Sequence, residues 1–308
     1  MSSGSTLQTL SRDAIVKGSK SFSLASFFFG VKEREASHLL YHFCRYCDDV
    51  IDHAESREAS VVALAELYRE LDRIEEGFES EKPALLAFGR VSREYAIPMR
   101  YARDLLAGFE TDTSGAEIKT EADLELYSYR VAGVVGLMMC HVMGVSRREA
   151  TSQAIELGLA MQMTNIARDV REDFERNRVY LPSTWLIDAG VNRARLLDDE
   201  TKTFKLVERL LALAKVRYES GLCGLSALPL RAAIAVSIAA AVYAGIGKKV
   251  LRRGPKSLRD RTYLTSLEKA FYAARGLVRV IPLALVRALS LRSILFEPPD
   301  HLRKSLDS

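Results

Sequence analysis

Apolar positions recur at helical spacing along the whole chain, separated by short polar connections, and no β-rich segment appears. The pattern predicts an opening helix or turn over Ser11 to Phe29. Helices follow over Glu33 to Ala54, Glu58 to Phe78, from Ala84, over Met99 to Thr111 and over Ala122 to Val145. The next helix carries Gln162 and is ended by Pro182. Beyond a loop with a short helix at Ser183 to Gly190 come a helix over Lys202 to Cys223, one apolar over Leu228 to Gly247 and ended by Arg252-Arg253-Gly254, and one over Tyr263 to Gly276, then a tail from Leu277 to Phe296. Neither a fixed-period repeat nor a low-complexity linker interrupts this order. The economical reading is one all-α domain over residues 1–308, with a core of about 11–275 and a basic amphipathic tail over 277–308.

Two segments invite a membrane reading. Leu228 to Gly247 is long enough to span a bilayer, but Arg231 interrupts it, alanine and glycine outnumber leucine, and Pro229 sits where a soluble helix starts. It reads as a buried central helix. The tail alternates apolar residues with Arg279, Arg287 and Arg292, which suits either a core-packing helix or a basic surface touching lipid. The N-terminal MSSGSTLQTLSRD has no apolar region, and so reads as neither signal nor anchor.

Composition narrows the function classes. With 48% apolar and 27% charged residues and eight prolines, the 308-residue chain is a folded globular protein. The net charge of +4 is small and scattered, which points away from nucleic acid. Four cysteines suggest reduced thiols in the cytoplasm. Cys44 and Cys47 form a CxxC, yet no βαβ pattern or second cysteine pair accompanies it. His38 and His42 share a zinc-helix spacing but lack the glutamate of HExxH, so they read as packing or surface residues.

The chemistry lies in two polar stripes. Asp169 and Asp173, four residues apart, stack on one helix face, where both carboxylates can approach one magnesium–phosphate cluster. Asn165 and Gln162 extend the stripe, while Arg168, Arg171, Arg176 and Arg178 add positive charge. Alone, this would be a solvated face with salt bridges. Asp48 and Asp52 repeat the spacing inside the otherwise apolar CRYCDDVID, with Arg45 and Tyr41 one and two turns earlier. Acidic residues in such a helix cost desolvation and repulsion unless a cation neutralises them, and two such pairs point to a metal–diphosphate site. Upstream, Ser19, Lys20 and Ser21 form a cluster suited to phosphate, next to Phe22, Phe27, Phe28 and Phe29. Gly133 and Gly136 permit close helix approach, and Tyr127 and Tyr129 are placed to face a cavity.

SKSFS, CRYCDDVID, YSYRVAGVVG and QMTNIARDVREDFERNRVYLP resemble, in order and spacing, the blocks of the head-to-head prenyl synthases, the family of squalene, dehydrosqualene and phytoene synthases. The resemblance covers roughly Ser11 to Arg275, and the third and fourth blocks are most similar to those of bacterial phytoene synthases. It implies an isoprenoid-synthase-type helical bundle around a central apolar cavity. Asp48, Asp52, Asn165, Asp169 and Asp173 would face magnesium, three ions in the family, with Mn²⁺ a substitute. Tyr41, Arg45, Gln162, Arg168, Arg178 and Tyr243 would line the diphosphates and prenyl chains, with Ser19, Lys20 and Ser21 closing over one phosphate. Phe22, Tyr41 and Tyr129 are candidates to flank a carbocation. Gly18 stands where several relatives have histidine, which removes one donor from that flap.

The implied reaction is Mg-dependent coupling of two geranylgeranyl diphosphates through prephytoene diphosphate to phytoene, the first committed step of carotenoid biosynthesis, without NADPH. A downstream phytoene desaturase is the implied partner, and the location is cytoplasmic or peripheral on the membrane's inner face. The rivals are dehydrosqualene or squalene formation from farnesyl diphosphate, and a non-catalytic assembly factor, whose expected signature is loss of the aspartates. A terpene cyclase would carry one DDxxD-type motif and an NSE-like motif instead of two DxxxD blocks.

Overall fold

Helix boundaries follow the caps and breakers that the chain supplies. The computed structural model describes the backbone of residues 3–18, 20–145 and 148–295, and side chains within 7–15, 22–145, 148 and 150–286. Among the described residues there is no strand. The helices are α1 (Ser3–Gly18), α2 (Lys20–Ser26), α3 (Val31–Asp52), α4 (Arg57–Glu75), α5 (Pro83–Glu94), α6 (Met99–Ser114) and α7 (Glu121–Ser128). Then come α8 (Val134–Val142), α9 (Arg148–Glu175), α10 (Ser183–Asp188), α11 (Glu200–Leu222), α12 (Leu230–Arg253) and α13 (Ser266–Leu295). The Ser56 hydroxyl accepts from the Ala59 amide to open α4, Thr120 and Asp123 close a capping box on α7, and Gly115 at φ 62° ends α6.

The opening segment expected over Ser11 to Phe29 forms α1 and α2, beginning at Ser3, and three further boundaries that differ from expectation bear on packing and the site. The helix predicted to run to Pro182 stops at Glu175. Asn177 adopts φ 60°, and the amides of Asn177 and Arg178 donate to the carbonyls of Phe174 and Asp173, a Schellman closure with asparagine in place of glycine. Pro182 caps α10 instead, and Arg178 leaves the helix. The helix predicted over Ala122 to Val145 is divided by a π turn at Tyr129–Gly133. Finally, Gly276 does not end a helix; α13 runs through it. A Cβ there would lie 2.8 Å from the Ile238 Cα, so this glycine lets α13 close onto α12, and the Ser237 hydroxyl donates to its carbonyl at 2.9 Å.

Of three buried apolar clusters among the described residues, two position the site. One gathers around α9, α11 and α12 with Met163, Val207, Leu210, Ile238 and Val242. The other joins α3 to α6 with α8 through Leu40, Phe43, Leu71, Leu105 and Met138, and Phe43 stacks on Phe88 at 4.1 Å. The one described helix long and apolar enough to cross a membrane, within Leu230–Leu258, has 67% of its apolar window inside the protein. Its apolar surface is already covered, as expected for a central helix. The two aspartate stripes stand on different clusters, Asp48 and Asp52 on α3 and Asp169 and Asp173 on α9, so the site sits on the seam.

Gly276→Ala is expected to lower stability by about 1–3 kcal/mol, since a Cβ meets helix backbone, which cannot rotate away as a side chain can. Urea unfolding of the variant checks this; an unchanged midpoint would show that α12 and α13 are not in close contact here.

Candidate active site

On α3, the apolar positions Leu40, Phe43, Cys47 and Ile51 turn one face into the core, which leaves Tyr41, Arg45, Asp48 and Asp52 on another. Arg45 binds Asp48 at 3.1 Å and Asp49 at 2.6 Å. On α9, Asn165 donates to Gln162 at 3.3 Å, while its own Oδ1 is buried without a partner. Arg168 grips Asp169 with two bonds of 2.7 and 2.5 Å. Arg171, by contrast, donates to the Leu258 carbonyl and turns away from the stripe.

Arginines tie the two walls together. Arg176 and Arg178, aimed back by the Asn177 turn, reach Asp52 at 2.8 and 2.7 Å across 124 and 126 residues of chain. Aromatic rings line the same region: Phe22 on α2 stands 6.4 Å from Tyr41 and 5.3 Å from Tyr243 of α12. Ser19 and the side chains of Lys20 and Ser21 lie outside the described residues. Tyr129, in the π turn, donates to Asp104 of α6 at 3.2 Å, which fixes it to the α3 side of the seam.

The electrostatics report carboxylates pressed together out of water. Burial and then Asp52 push Asp48 up to about 6, against Arg45. Burial and then Asp169 push Asp173 up to about 8, against Arg178. Burial raises the Tyr41 hydroxyl to about 12. A divalent cation would reverse the carboxylate shifts. The donors fit a hard cation: carboxylate oxygens and the unpartnered Asn165 Oδ1, with no histidine or thiolate in the stripe. Among the described residues no three His, Cys, Asp or Glu side chains form a ready cage.

Three participants escaped the sequence reading. Asp112 of α6 accepts from Tyr180 at 2.6 Å and from Tyr127 at 3.3 Å, and these two rings stack at 4.7 Å. Arg261, from the loop after α12, binds Asp169 at 3.1 Å and Glu172 at 2.8 Å. Asp104 holds Tyr129. The available signal for Asp112 was its place on the apolar face of α6, seven residues after Leu105 and three after Phe109. Arg261 offered none, being a loop arginine among many. The remaining expectations on packing hold: the His38 and His42 rings bond Ser26 and Ser11, and Cys44 and Cys47 are free thiols on α3, Cys47 wholly buried.

A helical bundle that opposes two DxxxD walls, cross-tied by arginines beside an aromatic lining, defines a class of protein that handles allylic diphosphates. The chain belongs to the squalene/phytoene synthase family, whose family model matches residues 15–268. It is 37% identical to the 15-cis-phytoene synthase of Enterobacter agglomerans over 94% of this chain and 97% of that one. With the phytoene synthase of Thermus thermophilus it shares 36% identity over 83% and 90% of the two chains. Among solved structures, a dehydrosqualene synthase bound to a ligand superimposes with a TM-score of 0.82 at 28% identity, covering 90% of this chain and 98% of that one.

Asp112 supplies a test of the seam. Burial, opposed by the Tyr180 hydroxyl and Arg178, raises it from 3.8 to about 6. The folded state therefore keeps a proton that the unfolded chain releases, and this contribution to stability is lost as pH rises from about 4 through 6. Asp112→Asn removes the titration. The stability of the parent minus that of the variant, from urea unfolding at stepped pH, is expected to fall steadily across that window; a constant difference would contradict the assignment.

Proposed function

We propose that the protein is a phytoene synthase, joining two C20 geranylgeranyl diphosphates through prephytoene diphosphate to phytoene with release of diphosphate. The observation that carries this reading is the opposition of Asp48 and Asp52 to Asp169 and Asp173 across the seam, bridged by Arg176 and Arg178. Likeness to phytoene synthases over nearly the full chain supports the choice of substrate. In this reading the helices work as one domain, and Asp48, Asp52, Asn165, Asp169 and Asp173 hold magnesium, three ions by family likeness, with Mn²⁺ a substitute. Bound with the substrate, the ions act as Lewis acids on the departing diphosphate.

The chain's own residues do the rest. Arg45, Arg168 and Arg178, now engaged by carboxylates, are placed to exchange those partners for phosphate oxygens, which a guanidinium holds in pairs. Phe22, Tyr41 and Tyr243 present ring faces that stabilise an allylic cation and exclude water. With its hydroxyl raised to about 12, Tyr41 stays neutral throughout the working range. Gln162 orients Asn165, and Tyr129 closes the wall near the π turn. Proton loss ends the reaction, so no NADPH is consumed. A cytoplasmic enzyme would then pass its insoluble product to a bilayer, where a phytoene desaturase is the partner. Dehydrosqualene formation from farnesyl diphosphate is the second reading, favoured by the TM-score of 0.82 to a dehydrosqualene synthase.

Incubation of the purified protein with each diphosphate and Mg²⁺, without NADPH, is expected to give a C40 hydrocarbon from geranylgeranyl diphosphate. A C30 hydrocarbon as the main product would sink the phytoene assignment. Asp48→Ala and Asp169→Ala should each cut turnover by about 10²–10³-fold or more. Unimpaired coupling in both variants would overturn the catalytic assignment of these aspartates.

A further inference from the structure

Behind α9, on the side away from the aspartate stripe, α11, α12 and α13 line a groove of about 1030 Å³. Its size is at the top of the range of roughly 300–1,000 Å³ typical of ligand pockets. Ala240, Ala241, Ala244, Gly247 and Leu251 of α12 form one wall, and Leu211 of α11 and Phe271 of α13 line the groove beside it. The polar groups at its floor are satisfied: Thr164 and Tyr218 hydroxyls bond each other at 3.1 Å, and Ser237 donates to Gly276. The groove therefore offers a chain-shaped apolar bed without unmet hydrogen bonds.

Its mouth is cationic. Lys215, Lys248, Arg275 and Arg279 stand there with Glu208 and Glu219. Glu219 is 3.9 Å from Lys215, but no carboxylate partner is seen for Lys248, Arg275 or Arg279 among the described residues. Lys248 and Arg275 instead lie against the Tyr272 and Phe271 rings. Burial and then Arg275, Lys215 and Arg279 press the Lys248 ammonium below its ordinary range, a sign of cations crowded without compensation.

A stripe continues from the groove along α13: Leu267, Phe271, Ala274, Val278, Ile281 and Leu285, at alternating steps of four and three residues. Leu267 is 84% and Val278 62% exposed, although large apolar side chains gain by burial. A second copy of the chain would bring the same cations against these cations in a two-fold pairing, so self-association is disfavoured. An anionic surface with an apolar interior matches both parts of the patch.

We propose that this groove and stripe bind an anionic phospholipid of a bilayer surface, one acyl chain lying in the groove and the phosphate meeting the cations at its mouth. The proposal gives a place to the bilayer contact of the functional reading and rests on it only for purpose; the binding is independent of the aspartate walls. It also extends lipid contact from the tail beyond Gly276, which supplies Val278, Arg279, Ile281 and Leu285, to a face built by three helices. Of the tail's arginines, the side chains of Arg287 and Arg292 lie outside the described residues.

The test uses the full chain without prenyl substrate, so it is unaffected if the reaction assignment fails. The protein is expected to float with vesicles of phosphatidylcholine and phosphatidylglycerol, and to float less with phosphatidylcholine alone or at high salt. The double substitution Arg275→Glu with Arg279→Glu should weaken flotation about tenfold or more. In a second measurement, Phe271→Trp adds a reporter to a chain whose single tryptophan, Trp185, is buried. Lipid with brominated acyl chains should quench the new fluorescence. Equal flotation with both vesicles, no response to the charge reversal in a folded variant, or absence of quenching would each overturn the proposal. So would concentration-dependent dimerisation that buries Phe271 and leaves vesicles unbound.

Discussion

Carboxylates facing one another across a half-buried seam are the constraint on which the rest of the structure depends. Asp48, Asp52, Asp112 and Asp173 feel one another's charge, and partial burial removes part of the water that would screen them. The fold answers with guanidinium groups from three different segments: Arg45 within α3, Arg168, Arg176 and Arg178 from α9 and its end, and Arg261 from a distant loop. Such pairs add little net stability, since desolvation cancels much of the attraction. Their value is that they keep opposed carboxylates in place while leaving every arginine able to change partner. In the proposed reaction, an anionic substrate arriving with its cations would replace carboxylate–arginine pairs by carboxylate–metal and arginine–phosphate pairs.

The aspartate pairs were legible in the sequence because charge at i and i+4 inside apolar sequence has a cost that a structure must justify. Helix identity was legible for a related reason: periodic burial is repeated along each long segment. What was misread turned on residues with two uses. Gly276 looked like a helix end, because glycine ends helices, yet here it removes a Cβ so that α13 can touch Ile238. Pro182 looked like the stop for α9, yet the stop is Asn177 in the left-handed conformation five residues earlier. That difference has chemical weight, since a helix continuing to Pro182 would not aim Arg178 back at Asp52. Asp112 went unseen because a single carboxylate carries no spacing.

The rigid frame behind the stripe explains how side chains on separate clusters can meet so closely. Glycines clamp α9 on two sides. A Cβ at Gly136 would fall 2.6 Å from the Ala154 carbonyl oxygen, one at Gly158 would fall 2.6 Å from that of Ala132, and one at Gly221 of α11 would fall 2.9 Å from that of Gln153. The backbone of α9 is thus fixed by contact with backbone rather than by flexible side chains. Gln162 begins the polar stripe one turn beyond Gly158, so there is little helix left in which error can accumulate before Asn165, Asp169 and Asp173.

The same contacts link the clamp to the π turn. Gly158 meets Ala132 and Gly133, inside the turn that carries Tyr129, while Gly108 of α6 meets Val131 from the other side. A regular α-helix through residues 129–133 would rotate the following α8 by about one residue, roughly 100°. Gly136 would then no longer face Ala154, and the close approach of α8 to α9 would be lost. The inserted turn therefore reconciles two demands on one segment, presenting Tyr129 to Asp104 on one cluster and Gly136 to α9 on the other. Because the seam between those clusters is also the candidate site, a packing irregularity on a neighbouring helix helps to set the separation of the two walls.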